Sequence, residues 1–367
     1  MARVTRPRVL AAMSGGVDSS VAAAVLVERG FDVIGVTMKL FCHGDEVPDR
    51  PCCSLESIND ARRVCEQIGI PHYVLNMERT FGRDVVDDFV AEYARGRTPI
   101  PCVRCNTFTK FRDLVAKADA LDAPWIATGH YARAEGGVMR RGRDPHKDQS
   151  YFLWGIDRAV VARLLLPVGD LTKPETRDRA RALGLDVVAG KIESQDICFV
   201  PDGDHAGVVS RRLGAGAPAL TPGPFVTTGG DVVGEHGGFV RYTVGQRRGL
   251  PGGSSRPLYV LAIRPDDRAV VIGPREELFG SSVVAREVNW LTSAPPRVGT
   301  PVDVQVRHRA AAVPATIVRL EMTGDGDGRG GEIELSLGAP VAAIAPGQSV
   351  VFYARDEVLG GGVIERQ

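Results

Sequence analysis

The chain has no cysteine after Cys198, no apolar run near membrane-spanning length, no internal repeat and no net charge. Each absence excludes something. Lys plus Arg and Asp plus Glu both number 45, so the molecule as a whole does not attract a polyanion. Nucleic-acid binding would need charge sorted onto one face. Local clusters that could supply it are Arg140, Arg141 and Arg143; Arg211 and Arg212; Arg247 and Arg248; and Arg307 and Arg309. A bilayer span needs roughly 20 apolar residues, and Met1 to Arg8 leads into the first strand without an apolar signal region. The expectation is a cytoplasmic protein with no membrane partner. All seven cysteines fall at or before Cys198. A disulfide framework would not usually leave nearly half the chain bare, so the clustering points to metal or catalytic chemistry.

Among what is present, the stretch Ala12-Met13-Ser14-Gly15-Gly16-Val17-Asp18-Ser19-Ser20 organises the rest. The apolar run Val9 to Met13 reads as a buried strand. Helical spacing follows through Val21, Val25 and Leu26, and Gly30 ends it. Between them, two glycines allow a sharp turn in which backbone N–H groups approach an anion at a helix N-terminus. Serine hydroxyls add donors, and Asp18 is placed to hold Mg²⁺ on a bound phosphate. The stretch lacks the lysine of G-x-x-x-x-G-K-[ST] and the spacing of G-x-G-x-x-G. It is similar to the SGGxDS loop of ATP-pyrophosphatases; the plainer alternative is an ordinary glycine-rich turn.

Strand and helix patterns alternate up to about residue 130. Strands are expected at Asp32 to Met38, Pro71 to Leu75 and Trp125 to Thr128, with helices at Ser57 to Ile68, Phe81 to Ala94 and Thr107 to Ala120. Such alternation predicts an α/β fold, a parallel sheet with helices on both faces. Ligands in such sheets lie at the carboxyl ends of strands, which would bring Ser14, Met38 and Gly129-His130 together. Past residue 205 Gly and Pro become dense and short alternating strands take over, at Gly238 to Val244, Leu258 to Ile263 and Ala269 to Ile272. Val302, Val304 and Val306 alternate with Asp303, Gln305 and Arg307, and a small closing barrel is expected.

The cysteines leave alternatives open. Cys42, Cys52 and Cys53 are poorly spaced for zinc. Two prolines deny helix around Pro99 to Pro101, so Cys105 is expected just ahead of a helix N-terminus and beside Arg104, a setting that favours the thiolate. With Cys102 and Cys198 it could form a buried structural trio, a metal or cluster site, or a nucleophile with a sulfur-bearing partner. Asp144 to Gln149 is a polar loop beside the apolar Tyr151 to Trp154, as fit for recognition as for plain surface.

Taken together, the turn from Ala12 to Ser19, Cys52-Cys53-Ser54, Pro101 to Asn106, Thr128 to Arg133, Lys147 to Ser150, Ser194 to Phe199 and Tyr242 to Leu250 resemble the bacterial tRNA-specific 2-thiouridylases. The likeness covers essentially the full chain. It implies an adenine nucleotide alpha hydrolase-like ATP-pyrophosphatase catalytic domain over 1–205, a small central β domain over 206–280 and a tRNA-contacting C-terminal β-barrel over 281–367. It further implies Cys105 as nucleophile and Cys198 as persulfide carrier, two groups whose disulfide needs Cα atoms within about 7 Å. ATP would lie against Ala12, Met13, Ser14, Gly15, Gly16, Val17, Asp18, Ser19, Met38 and Gly129. The tRNA would touch Ile100, Pro101, Cys102, His130, Lys147, Asp148, Gln149, Arg307, His308 and Gln348. The partners implied are tRNAs for Glu, Gln and Lys and a cysteine desulfurase or sulfur-relay protein.

One departure stands out: Cys102 occupies a position where family members carry aspartate, and a thiol does not replace a carboxylate of very different pKa. Cys102-x-x-Cys105 with Cys198 also looks like the three-cysteine set of [4Fe-4S]-dependent tRNA thiolases, which is the alternative sulfur route. An amidotransferase or synthetase would share the turn without needing Cys105 and Cys198. A non-catalytic RNA-binding or metal-storage protein would not need the turn.

Overall fold

A computed structural model describes residues 6–41, 55–191, 197–200, 203–214, 216–252, 256–323 and 330–366. Cys42, Cys52, Cys53 and Ser194 to Asp196 lie outside the described residues. The chain forms two compact units. One comprises Met1–Val85, Cys102–Pro201 and Asp356–Val358; the other comprises Val86–Pro101, Asp202–Arg355 and Leu359–Gln367.

The first unit is built on a parallel sheet. Strands β1 (Arg8–Ala12), β2 (Asp32–Lys39), β3 (His72–Asn76) and β4 (Trp125–Ala127) form most of it. A hairpin of β5 (Ala132–Glu135) and β6 (Val138–Arg141) follows, and then β7 (Leu164–Leu165). The sheet order is β3-β2-β1-β4-β7, and each adjacent pair is parallel. The first helix, α1 (Val17–Glu28), is rich in Ala and buries Val21, Ala22, Ala23, Ala24 and Leu26, so it is apolar on more than one face, as a core helix must be. It ends where the sequence places its stop: Gly30 has φ +83°, Gly30 N–H donates to Val27 O and Phe31 N–H to Leu26 O, the paired bonds of a Schellman motif. The second helix, α2 (Leu55–Gln67), buries Ala61, Val64 and Cys65 in the same core as Val9, Val21 and Leu26. Each such fully buried Val or Leu contributes roughly 1.5–3 kcal/mol. The β5–β6 hairpin, absent from the sequence reading, turns on Gly136 and Gly137 at φ +58° and +78°, the two left-handed residues a tight hairpin requires.

The second unit contains the helix Asp87–Ala94 and two β systems. Strands β8 (Gly223–Val226), β9 (Val232–His236), β10 (Tyr259–Arg264) and β11 (Ala269–Gly273) form a sheet in the order β10-β11-β8-β9. The barrel strands are β12 (Phe279–Trp290), β13 (Pro301–Gln305), β14 (Val313–Glu321), β15 (Glu332–Ala342), β16 (Ser349–Ala354) and β17 (Glu357–Arg366). They run β12-β15-β14-β13-β16-β17, and β17 pairs back onto β12 to close the barrel. Val304, Ile317, Leu335, Phe352 and Ile364 fill it, and Trp290 packs on Phe352 with ring centroids 5.2 Å apart.

Two expectations change. Gly238 to Val244 is not a strand: Phe239–Arg241 is a 3-10 turn. Phe239 and Val240 are consecutive and both fully buried, which a half-exposed strand cannot achieve because its side chains alternate faces. Helix also begins earlier than the prolines suggested. Pro101–Arg104 is helical, Cys105–Lys110 is a π-turn, and Phe111–Asp119 continues as α-helix. Pro101 stands at the first helical position, where its missing N–H costs nothing.

Candidate active site

The parallel sheet fixes the site. Register pairs Ala12 with Val36 and Ala11 with Ala127, so the chain leaves β1 toward Met13, β2 toward Met38 and β4 toward Gly129 at one edge. Met13 N–H donates to Val36 O at 2.8 Å, and the Thr37 hydroxyl donates to Met13 O at 2.8 Å. Ser19 Oγ accepts from Ser14 N–H and donates to Gly16 O, both at 3.1 Å, so its hydroxyl braces the turn. Ser14 is exposed. Gly16, the N-cap of α1, provides no side-chain cap, and the first-turn N–H groups keep their capacity for an anion.

Two glycines are dictated by close approach. A Cβ on Gly15, where φ is +72°, would lie 2.2 Å from Ser57 O; one on Gly129 would lie 2.5 Å from Ser19 N and 2.7 Å from the Asp18 carbonyl carbon. Both obstacles are backbone. Only glycine lets β4 run against the start of α1.

The sequence reading missed the cations behind this turn. Lys173 Nζ lies 2.7 Å from Asp18 Oδ1, and Tyr131 Oη donates to the same oxygen at 2.9 Å. Lys173 starts the helix Lys173–Ala182, capped by a Thr172/Glu175 capping box, and its own N–H donates to buried Asp144. Lys191 Nζ pairs with Asp60 Oδ2 at 2.7 Å and donates to Gly15 O at 3.2 Å. The capping box Thr172-x-x-Glu175 was readable as a helix start; nothing local showed that its first lysine would reach Asp18.

Cys105 is buried and opens the π-turn. Around it Asn106 donates through Nδ2 to Phe152 O at 3.0 Å, while Asn106 Oδ1, Thr107 Oγ1 and Thr109 Oγ1 are buried without a hydrogen-bond partner among the described residues. π-turns are rare and collect at functional sites. Arg104 lies over the Phe108 ring at 5.5 Å. Cys102 is exposed and Cys198 half-buried. Cys198 stands in a turn closed by Val200 N–H to Ile197 O, anchored by Phe199 edge-on to Phe81 at 5.6 Å.

The residues grouped for tRNA are drawn from both units. Cys102, His130, Lys147, Asp148 and Gln149 are in the first unit; Ile100, Pro101, Arg307, His308 and Gln348 are in the second. Asp148 is occupied internally, accepting from Arg141, Gly142 N–H and both the N–H and hydroxyl of Ser150. Gln149 Oε1 accepts from Tyr131 N–H, and Gln348 Nε2 donates to Thr98 O. These three shape the backbone their neighbours stand on. His130 has Nδ1 2.8 Å from Thr128 Oγ1 and its ring 6.0 Å from Phe111. Desolvation, and after it the charge of Lys110, pushes its pKa down to about 3, so the imidazole is neutral at physiological pH. Arg307 is exposed and His308 half-buried.

Among the described residues, no three His, Cys, Asp or Glu side chains are grouped to hold a metal ion, Cys102, Cys105 and Cys198 included. Both described contacts of Asp18 fall on Oδ1. No helix is long and apolar enough to cross a membrane among the described residues.

Family models place these features. The tRNA methyl transferase HUP domain matches residues 7–202, the tRNA methyl transferase PRC-barrel domain 216–274 and the aminomethyltransferase beta-barrel domain 281–364. The tRNA-specific 2-thiouridylase MnmA of Rhodospirillum centenum is 50% identical over 372 residues, covering 98% of this chain and 92% of that protein. That of Geobacter metallireducens is 46% identical over 375 residues, covering 100% and 98%. That of Pelotomaculum thermopropionicum is 45% identical over 369 residues, covering 98% of each. With that identity carried across both units, the chain belongs to the tRNA-specific 2-thiouridylase family.

Proposed function

We propose that the chain thiolates carbon 2 of the wobble uridine of tRNA at the expense of ATP. The observation that carries this reading is the joining, within one compact unit, of an uncapped glycine turn sealed by Gly129 with Cys105 and Cys198. The uracil 2-oxygen is a poor leaving group. Its attack on the α-phosphorus of ATP expels pyrophosphate and makes it a good one. N–H groups of the turn at Gly16 to Asp18 and the Ser14 hydroxyl would meet the charge that develops on the pyrophosphate. Mg²⁺ held by Asp18 and the phosphates would supply further neutralisation. Lys173 holds Asp18 in place.

The terminal sulfur of a Cys198 persulfide then bonds to carbon 2 and the C–O bond to AMP breaks. The Cys105 thiolate attacks the Cys198 sulfur, so the S–S bond of the persulfide breaks, the sulfur remains on uridine and a Cys105–Cys198 disulfide forms. An external dithiol reduces it. Among the described residues Cys102, Cys105 and Cys198 are not grouped to hold a metal ion, which supports this route over the [4Fe-4S] alternative. The sulfur would come from a cysteine desulfurase or relay protein, the substrates would be the tRNAs for Glu, Gln and Lys, and the site of action the cytoplasm. The domain limits 1–205, 206–280 and 281–367 accompany this proposal.

The test is single-turnover reaction of a tRNA transcript with ATP and a persulfide-loaded protein. One AMP and one pyrophosphate per thiolated uridine are expected. Thiolation without ATP consumption would refute the adenylation route. ATP consumption without sulfur incorporation would favour an amidotransferase or synthetase instead.

A further inference from the structure

Lys191 lies outside every residue assigned to nucleotide or tRNA above, yet it touches the floor of the nucleotide turn. Its side chain is about 19% exposed and that of its partner Asp60 8%. A buried pair of this kind is held by geometry and by its extra hydrogen bonds. Lys191 has two: Nζ donates to Gly15 O at 3.2 Å and lies 3.4 Å from Ser57 Oγ. Ser57 and Asp60 stand one turn apart on α2, and Ser57 O is the atom that forbids a side chain on Gly15. The backbone of Lys191 is fixed in turn, its carbonyl accepting from Arg177 at 3.2 Å.

The consequence follows from peptide geometry. The described chain has no cis peptide bond, and in a planar trans peptide the C=O of one residue and the N–H of the next point in opposite directions. Holding Gly15 O toward Lys191 therefore aims the Gly16 N–H away from α2, out of the floor of the turn. Gly15 is the residue least able to hold its own peptide plane, because glycine is the most permissive backbone. We propose that Lys191 is a positioning residue: clamped by Asp60, it locks the Gly15–Gly16 peptide so that the Gly16 N–H is presented to the pyrophosphate portion of ATP. The proposal rests on the nucleotide reading given above. Lys191 itself does not touch the nucleotide.

Lys191→Met alone would strand the Asp60 charge, so the decisive variant is Lys191→Met with Asp60→Leu. Replacing a buried pair by apolar groups is often neutral for stability, whereas the peptide loses its clamp. The expected result is a melting temperature near the parent's, with KM for ATP in pyrophosphate release raised roughly tenfold, about one charge-assisted hydrogen bond, and kcat within about threefold. A parental KM in the folded double variant overturns the proposal. No pyrophosphate release from the parent enzyme sinks the nucleotide reading instead. A second measurement needs no variant: isotope-labelled parent protein is titrated with inorganic pyrophosphate and Mg²⁺. The Gly16 amide resonance should shift. An unmoved Gly16 amide beside moving Val17 and Asp18 amides overturns the proposal, and a wholly unmoved turn takes the nucleotide reading with it.

Discussion

The ammonium of Lys173 lies 2.7 Å from one oxygen of Asp18, with side-chain exposures of 9% and 30%. A residue at the start of a late helix thus reaches the first turn of the first one. The lysine that phosphate-binding loops often carry within their own sequence is missing from Ala12 to Ser20, and here a cation arrives through the fold.

That pair gives the first prediction. Lys173→Met should leave Asp18 with Tyr131 as its partner among the described residues and cut kcat/KM for ATP on the order of 10²-fold, the scale of losing one preorganised electrostatic group. Asp18→Ala should abolish pyrophosphate release while tRNA binding, followed by filter retention, stays at the parent level. Parental pyrophosphate release from Asp18→Ala would remove the carboxylate from the nucleotide assignment.

Gly129 gives the second. Its absent Cβ would sit 2.5 Å from Ser19 N and 2.7 Å from the Asp18 carbonyl carbon, backbone atoms that cannot rotate aside. Gly129→Ala should therefore push β4 from α1 and destabilise the fold by about 1–3 kcal/mol, the usual range for overpacking, with weaker ATP binding. Gly190, where an added Cβ meets nothing within 4 Å, is the control. Equal urea midpoints for the two variants would contradict the close approach.

The third concerns pH. Burial, then Lys110, lowers the pKa of His130 from 6.5 to about 3. Between those values the unfolded chain binds a proton that the folded one does not. The contribution of His130 to stability is thus complete above pH 6.5 and lost as pH falls toward 3, at up to about 1.4 kcal/mol per unit. His130→Gln should flatten the stability-versus-pH curve between pH 4 and 6 by that slope. An identical slope in parent and variant would show that His130 titrates normally in the folded protein.

How far the sequence announced all this can be judged from particular residues. The sheet strands were legible because their apolar runs are continuous and bounded by Gly30, Gly69 and Pro71. Gly15 and Gly129 were legible as part of the turn and its neighbour, though not the backbone collisions that require them. Lys173, Tyr131 and Lys191 were hidden because each meets the turn through tertiary approach, which no spacing encodes. Strands β12 and β17 escaped for a different reason. The alternation of β12 is interrupted by Arg286 and Glu287, the latter at φ +52° where the register to β17 shifts. Strand β17 contains Gly360-Gly361-Gly362, which reads as loop but packs a barrel backbone against Asn289 and Arg286.

The cysteines carry the last prediction. Cys102 is exposed, Cys105 buried and Cys198 half-buried. On the persulfide route only Cys105 and Cys198 exchange sulfur, so Cys105→Ser and Cys198→Ser should each abolish thiolation. Cys102→Ser should keep substantial activity in colourless, iron-free enzyme prepared in air. On the cluster route all three thiolates would bind iron, the active protein would be brown, and Cys102→Ser would fall as far as Cys105→Ser. The deciding measurement is single-turnover thiolation of a tRNA transcript by Cys102→Ser with ATP and a persulfide donor. Product from that variant supports two working cysteines. No product beside an active parent, with iron and sulfide in the parent after anaerobic purification, would replace that mechanism with the cluster one.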